Sequence, residues 1–373
     1  MPVNQRFVVS LTMTNNFTTR NNKRWTSVSA VALLAALALA ACTSSSNAGG
    51  STNEATRTTL NGSGSTFQKA FLEAAIQGYS EENGSTTINY AGGGSGKGKT
   101  DLQNQTVDFA GTDSLIKDED IGNYKGGEVL YFPTVVAPIT IAYNLDNVDK
   151  LNLSADTLAK IFQGDIKKWN DAAVAADNPG VDLPDTGIVV AHRTEASGTT
   201  RNFTKFLDAA AEGVWKLGSG DTVEWPADSQ AGQGNAGVAS IVKDSKGAIG
   251  YVDYSDAIAA QLKVAAIENA AGKFVDATLA GASAAASASE VNDNLTYNPI
   301  NASGDTSYPL TSPTWIIVYA KQTDKTKGAA LKSFLTYVLN GGQDIAEQTQ
   351  YAKLPASLQQ KAVAQLEKLD IPA

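Results

Sequence analysis

From Leu60 onward, apolar positions switch repeatedly between two spacings. Short runs with β-branched and aromatic residues mark strands at Thr87-Ile-Asn-Tyr90 and Val107-Asp-Phe-Ala110. Glu128-Val-Leu-Tyr-Phe132 and Ile139-Thr-Ile-Ala-Tyr143 flank Pro133 and form one long extended run. Gly187-Ile-Val-Val-Ala191 reads as a buried strand leading into His192-Arg193, and Ala248-Ile-Gly-Tyr-Val252 and Trp315-Ile-Ile-Val-Tyr319 as two more. Between them, Phe67, Ala70, Phe71, Ala74 and Ala75 recur at helical spacing and predict a helix over 66–82. Further helices are expected over 154–162, capped by Ser154, and over 199–211, 329–339 and 358–369. The Ala/Ser-rich stretch 279–289 reads as a surface helix or loop. Strand and helix alternate throughout, which places the chain in the α/β class.

The first 41 residues break this pattern. They carry Arg6, Arg20, Lys23 and Arg24 and no acid, then an apolar run from Val31 to Ala41. A basic region followed by a short apolar run is an export signal. The run is far short of the ~20 residues that span a bilayer as a helix. Leu39-Ala40-Ala41-Cys42 looks like a bacterial lipobox, which implies cleavage before Cys42 and its lipidation. A plain secretory signal with an incidental cysteine is the alternative. Translation could start at Met1 or Met13 without changing anything downstream. Residues 42–57, rich in Ser, Thr, Asn and Gly, read as the lipidated cysteine and a flexible tether.

Composition narrows the chemistry. Of 373 residues, one is Cys and one is His, so an internal disulfide, a Cys-based zinc site and His-pair metal motifs are all excluded. No metal and no cofactor are expected. The net charge is −9. Removing the signal leaves 25 basic against 38 acidic residues, about −13, which argues against nucleic acid as a partner.

Candidate chemistry sits in Ser/Thr-Gly turns that precede helices. They are Gly62-Ser-Gly-Ser-Thr-Phe67, Gly92-Gly-Gly-Ser-Gly96 and Arg193-Thr-Glu-Ala-Ser-Gly-Thr-Thr200. Helix N-termini present free N–H groups and a positive dipole end, and glycines let a ligand approach the backbone. One such turn is an ordinary capped helix; three, with Arg193 beside one of them, favour an anion site. Gly93-Gly-Ser-Gly-Lys-Gly-Lys-Thr100 matches the P-loop expression, but its preceding strand is weakly apolar and no Mg-binding Asp follows an apolar strand, so Lys97 and Lys99 read as solvated. There is no G-x-S-x-G elbow. His192 reads as a strand-end residue whose charged form is disfavoured by Arg193.

At these motifs the sequence resembles the phosphate-binding proteins of bacterial phosphate ABC transporters, in the periplasmic-binding-protein superfamily. The matching text also includes Tyr90-Ala91, Val107-Asp-Phe-Ala-Gly-Thr-Asp113, Phe132-Pro-Thr134, Lys167-Lys-Trp169, Gly247-Ala-Ile-Gly-Tyr251 and Tyr308-Pro-Leu-Thr-Ser312, in family order to the C-terminus. The resemblance implies a type II two-lobed fold with the ligand cleft between lobes, lobe I being 58–136 plus 305–373 and lobe II 137–304. It implies a non-catalytic receptor for inorganic phosphate, lipid-anchored on the outer face of the cell membrane. This receptor would be a monomer serving membrane permease subunits and their cytoplasmic ATPase. The family's ligands fall on Thr66, Phe67 (N–H), Ser95, Asp113, Arg193, Ser197, Gly198 (N–H) and Thr199. Two departures stand out: Gln68 replaces the family's proline, which is expected to loosen that helix start, and Glu195 replaces the aspartate that supports the arginine.

Asp113 has a physical role in such a site. Phosphate near neutral pH carries a proton to donate, and a carboxylate accepts it. Sulfate has none, and an unpaired buried polar group costs ~1–3 kcal/mol. The competing reading makes Asp113 a helix N-cap before Ser114. The competing functions are a binder of another tetrahedral oxyanion or an exported phosphate-ester hydrolase.

Overall fold

The computed structural model describes residues 57–373. The signal, Cys42 and nearly all of the tether lie outside these residues. The chain runs β1 (Thr58–Gly64), α1 (Lys69–Glu82), β2 (Thr86–Gly92), α2 (Ser95–Gln103), β3 (Phe109–Thr112), β4 (Val129–Tyr143), β5 (Asn152–Leu153), α3 (Ala155–Phe162) and α4 (Ala172–Asp177). It continues β6 (Val189–Arg193), α5 (Gly198–Ala210), β7 (Gln230–Gly232), α6 (Gly234–Asp244), β8 (Ala248–Asp253), α7 (Tyr254–Ala260), β9 (Lys263–Val264), β10 (Ala266–Glu268) and β11 (Phe274–Val275). Last come α8 (Leu279–Ser287), β12 (Thr311–Tyr319), α9 (Lys325–Leu339) and α10 (Ala356–Gln365).

The main sheet has the order β2-β1-β3-β12-β4-β8-β6-β7, with β9 also paired to β4. β5, β10 and β11 form a separate small sheet. β4 joins the two halves of the main sheet. It pairs antiparallel with β12 up to Pro138 and with β8 from Ile139 onward. Pro138 has no N–H to give a ladder, so it suits the point where partners change. From Leu130 to Tyr143 the strand is buried throughout, which its nearly continuous apolar run requires. β1, β2 and β3 run parallel on one side, and β6, β7 and β8 on the other.

The predicted alternation holds, with three differences. α9 begins at Lys325, four residues before the expected start, because Asp324 accepts from the N–H groups of Thr326 and Lys327 at 2.8 and 2.9 Å. α8 is a surface helix with a deeply seated inner face: Ala280 and Ser287 are exposed, while Gly281, Ala282, Ala285 and Ala286 are buried, and the helix packs on β4 and β12. Small side chains let its backbone lie close to the crossing strands. Gln68 does not loosen α1. Its fully buried amide donates to Trp315 O at 2.9 Å and accepts from Thr134 Oγ1 at 2.9 Å, tying the helix start to β12 and β4.

Among the described residues, no helix is long and apolar enough to cross a membrane.

Candidate functional site

The three predicted turns meet at one place. Gly64 (φ +132°) turns the chain off β1 so tightly that a Cβ there would strike Gly111 O, and Ser65 N donates to that carbonyl at 2.8 Å. Gly64 O in turn accepts from Gly94 N at 3.0 Å, bringing the start of α2 alongside. Gly96 N donates to Ala196 O at 3.1 Å, which brings in the β6–α5 turn from the other half of the sheet. Gly198 lies against Ser95 and Asp113, where a Cβ would come within 3 Å of both side chains. First-turn amides of α1, α2 and α5 therefore converge, and such amides have no partner within their own helix.

Asp113 stands at the end of β3 and is 2% exposed. Ser65 Oγ donates to its two carboxylate oxygens at 2.6 and 2.7 Å, and Ser95 Oγ donates to Oδ2 at 3.2 Å. Ser95 Oγ also accepts from Asp113 N at 3.1 Å. No helix begins at Ser114; the next helical turn starts at Asp118, so the N-cap reading fails. Burial pushes the carboxyl up to about 7, held back by the Ser65 and Ser95 hydrogen bonds and the Arg193 charge, with Asp221 adding a further upward push.

Arg193 ends β6 and is 4% exposed. Its Nε donates to Glu195 Oε1 at 3.0 Å, Nη2 pairs with the same oxygen, and Nη1 donates to Thr199 Oγ1 at 3.2 Å. Glu195 also accepts from Gly234 N at 3.1 Å, so the longer side chain reaches the arginine and is itself anchored. Ser197 caps α5, accepting from Thr200 N at 3.2 Å. Phe67 N, an expected ligand, donates to Ser65 Oγ at 3.0 Å.

Two members of the cluster were not singled out from the sequence. Ser65 is one. The other is Asn235, whose Nδ2 donates to Thr66 Oγ1 at 3.2 Å and lies 3.5 Å from Thr199 Oγ1. Asn235 belongs to a fourth glycine-rich turn, Gly232-Gln-Gly-Asn-Ala-Gly237, between β7 and α6. That turn has the same strand-to-helix design as the other three. A cavity of about 410 Å³ adjoins the cluster, lined among others by Thr66, Lys69, Glu195, Asn235 and Asp256.

His192 is partly buried and stacks on Trp225 with ring centroids 5.2 Å apart. Burial lowers its pKa, rather than the charge of Arg193. Lys97 pairs with Asp101 at 2.5 Å. Lys99 corrects the expectation of a solvated residue: its side chain is 13% exposed and pairs with Asp221 at 2.6 Å. Among the described residues, no group of three or more His, Cys, Asp or Glu side chains could hold a metal ion.

A PBP superfamily domain model matches residues 49–341. The phosphate-binding protein PstS of Xylella fastidiosa (strain 9a5c) is 34% identical over 304 residues, 80% of this chain and 82% of that protein. Phosphate-binding protein PstS 2 of Mycobacterium tuberculosis (strain H37Rv) is 35% identical over 360 residues, 90% of this chain and 96% of that protein. Among solved structures, a high-affinity periplasmic phosphate-binding protein bound with phosphate superposes with a TM-score of 0.69 at 22% identity, over 82% of this chain and 93% of that one. That likeness carries the two-lobed α/β fold. Both the domain model and the sequence relatives cover most of the chain, which belongs to the phosphate-binding protein family of the PBP superfamily.

Proposed function

We propose that the chain is an extracytoplasmic receptor that binds inorganic phosphate and delivers it to an ABC transporter for import. The observation that carries this reading is one buried carboxylate, Asp113, set among hydroxyl and amide donors with Arg193 close by. Arg193, Ser95, Ser197, Thr66, Thr199 and the amides of Gly198 and Phe67 would donate to the anion, and Asp113 would accept its proton. Phe67 N would have to share its hydrogen with Ser65 Oγ or exchange one acceptor for the other. Glu195 would hold the Arg193 fork in position. Micromolar binding needs about −8 kcal/mol. Several charge-assisted hydrogen bonds at ~1.5–3 kcal/mol each cover that after the costs of closure.

The lobes in this reading are 58–136 with 305–373, and 137–304. The change of partner along β4 at Pro138–Ile139 supports a division there. The lobes would close over phosphate by a hinge, and the closed monomer would dock on permease subunits coupled to a cytoplasmic ATPase. Cys42 would carry the lipid that holds the body at the outer face of the cell membrane. The receptor would be non-catalytic: the chain has one His and one Cys, and His192 stacks on Trp225. Equilibrium dialysis against labelled phosphate and labelled sulfate tests the reading. Phosphate should be retained at micromolar concentration and sulfate should not; equal retention of both, or of neither, overturns it.

A further inference from the structure

The strongest unassigned feature is a partly buried ion pair behind the site. Lys99 Nζ donates to Asp221 Oδ2 at 2.6 Å, to Ser114 Oγ at 2.9 Å and to Leu115 O at 3.2 Å. Three acceptors satisfy the three donors of an ammonium. The two side chains are only 13% and 19% exposed.

The pair joins the two helix N-termini that bear the candidate anion ligands. Lys99 follows Ser95 by four residues in α2, so both lie on the same helix face. Asp221 sits in the segment after α5, and its backbone carbonyl accepts from Ser197 N at 2.9 Å. α2 packs on β1 and β3, in one half of the sheet, while α5 packs on β8 and α3, in the other. The Gly96 N to Ala196 O bond runs parallel to the ion pair across the same divide. A lysine within a P-loop look-alike thus reaches across the cleft, not toward a nucleotide.

We infer that Lys99 and Asp221 form a clasp whose making and breaking sets how often the cleft is closed, and thereby the affinity and residence time of the ligand. Both are positioning residues and touch no ligand. A pair held mostly out of water and broken from one side leaves an uncompensated charge, so either single substitution opens the clasp. A receptor that is closed less often binds more weakly in proportion to the lost closed fraction. This inference deepens the phosphate reading and rests on it for the ligand, though not for the clasp itself.

The test uses the exported body with Lys99→Gln, Asp221→Asn and the double variant. Amide hydrogen exchange at Gly96, the amide that bridges the two halves beside the pair, should rise about tenfold or more in each single variant, with or without phosphate. Phosphate should bind about tenfold more weakly through faster release, with the phosphate-to-sulfate ratio retained in Lys99→Gln, which leaves Asp113 and its neighbours Arg193 and Asp221 in place. The double variant should be no worse than either single one, since both members of the pair are gone. Unchanged exchange at Gly96 in a folded single variant overturns the clasp, and so does additive loss in the double variant. If one variant fails to fold, the other decides the exchange result. If the wild-type protein retains no phosphate, the receptor reading falls, and the exchange measurement still decides the clasp.

Discussion

Asp113 and Asp253 occupy matching places in the two halves of the sheet. Asp113 follows the end of β3, beside crossing strand β12; Asp253 ends β8, beside crossing strand β4. Both are buried, and both carboxyls are pushed up chiefly by burial. Their surroundings then diverge. Asp113 receives two serine hydroxyls and faces Arg193. Asp253 receives the Ser255 hydroxyl, lies beside the Tyr351 hydroxyl and faces the carboxylate of Asp256, and its Oδ1 has no hydrogen-bond partner among the described residues. The cation and donors keep Asp113 within reach of ionisation near neutral pH, as an acceptor for a ligand proton. Asp253 is favoured as the neutral acid and serves as a crosslink: Tyr351 Oη donates to Phe67 O at 2.6 Å and lies 3.1 Å from Asp253 Oδ2. Perturbation alone therefore does not mark the site. The sign and number of the neighbours do.

The largest test of this contrast removes the cation. Arg193→Ala takes away a charged donor fork and leaves Asp113 with burial and Asp221 against it. Phosphate affinity should fall about 100-fold or more in calorimetry, the loss expected of two charge-assisted hydrogen bonds. The Asp113 carboxyl should titrate higher than in the parent, closer to the behaviour of Asp253. Near wild-type binding would remove Arg193 from the site.

Next in size is the carboxylate itself. Asp113→Asn replaces an acceptor with a group that can donate, so sulfate should gain most and the phosphate-to-sulfate ratio should fall about tenfold or more. Asp253→Asn should leave that ratio unchanged. Sulfate rejection that survives Asp113→Asn would sink the role given to Asp113.

The same contrast appears in pH. With a folded value of about 7 against an ordinary 3.8, the Asp113 contribution to stability is fully present below pH 4. It is lost as pH rises to about 7. Ionisation thus proceeds at the expense of stability around the pH where the acceptor is needed. As pH falls through 7, protonated Asp113 becomes a donor, and the ratio of phosphate to sulfate affinity should fall with it. A ratio flat from pH 8 to pH 5 in the wild-type protein contradicts the assignment.

Much of this site was legible along the chain because its parts are local. Asp113, Arg193 and the three glycine turns each combine a strand end, a helix start and a polar residue within a few positions. What escaped depends on distant partners. Lys99 lies in a stretch of glycines that reads as solvated, and its partner is 122 residues away. Ser65 was visible as a hydroxyl beside Thr66, but not as the residue that holds Asp113. Gln68 stands where the resemblance led to an expected proline, and only the approach of β4 and β12 gives its amide two partners. In α8 the alanines carry no polar-apolar contrast, so no periodicity revealed the face buried on the crossing strands.

The smallest effect tests the other half of the comparison. Asp253→Asn keeps the shape of a neutral acid, and its amide can still meet Ser255 or Tyr351. Because burial and Asp256 raise the Asp253 carboxyl well above 3.8, its contribution to stability is present at low pH and lost as pH rises through its folded value. An asparagine has no proton to lose. The variant should therefore unfold within about 1 kcal/mol of the parent near neutral pH, as surveys find for substitutions that open no cavity and strand no charge. Its stability should decline less steeply on the alkaline side. Tyr351→Phe supplies the contrast, since it strands the buried Phe67 carbonyl and should cost ~1–3 kcal/mol at any pH. Thermal unfolding of the three proteins across pH separates these outcomes. If Asp253→Asn costs as much as Tyr351→Phe near neutral pH and does not flatten the alkaline decline, then Asp253 is ionised in the fold, and the distinction between the two aspartates disappears.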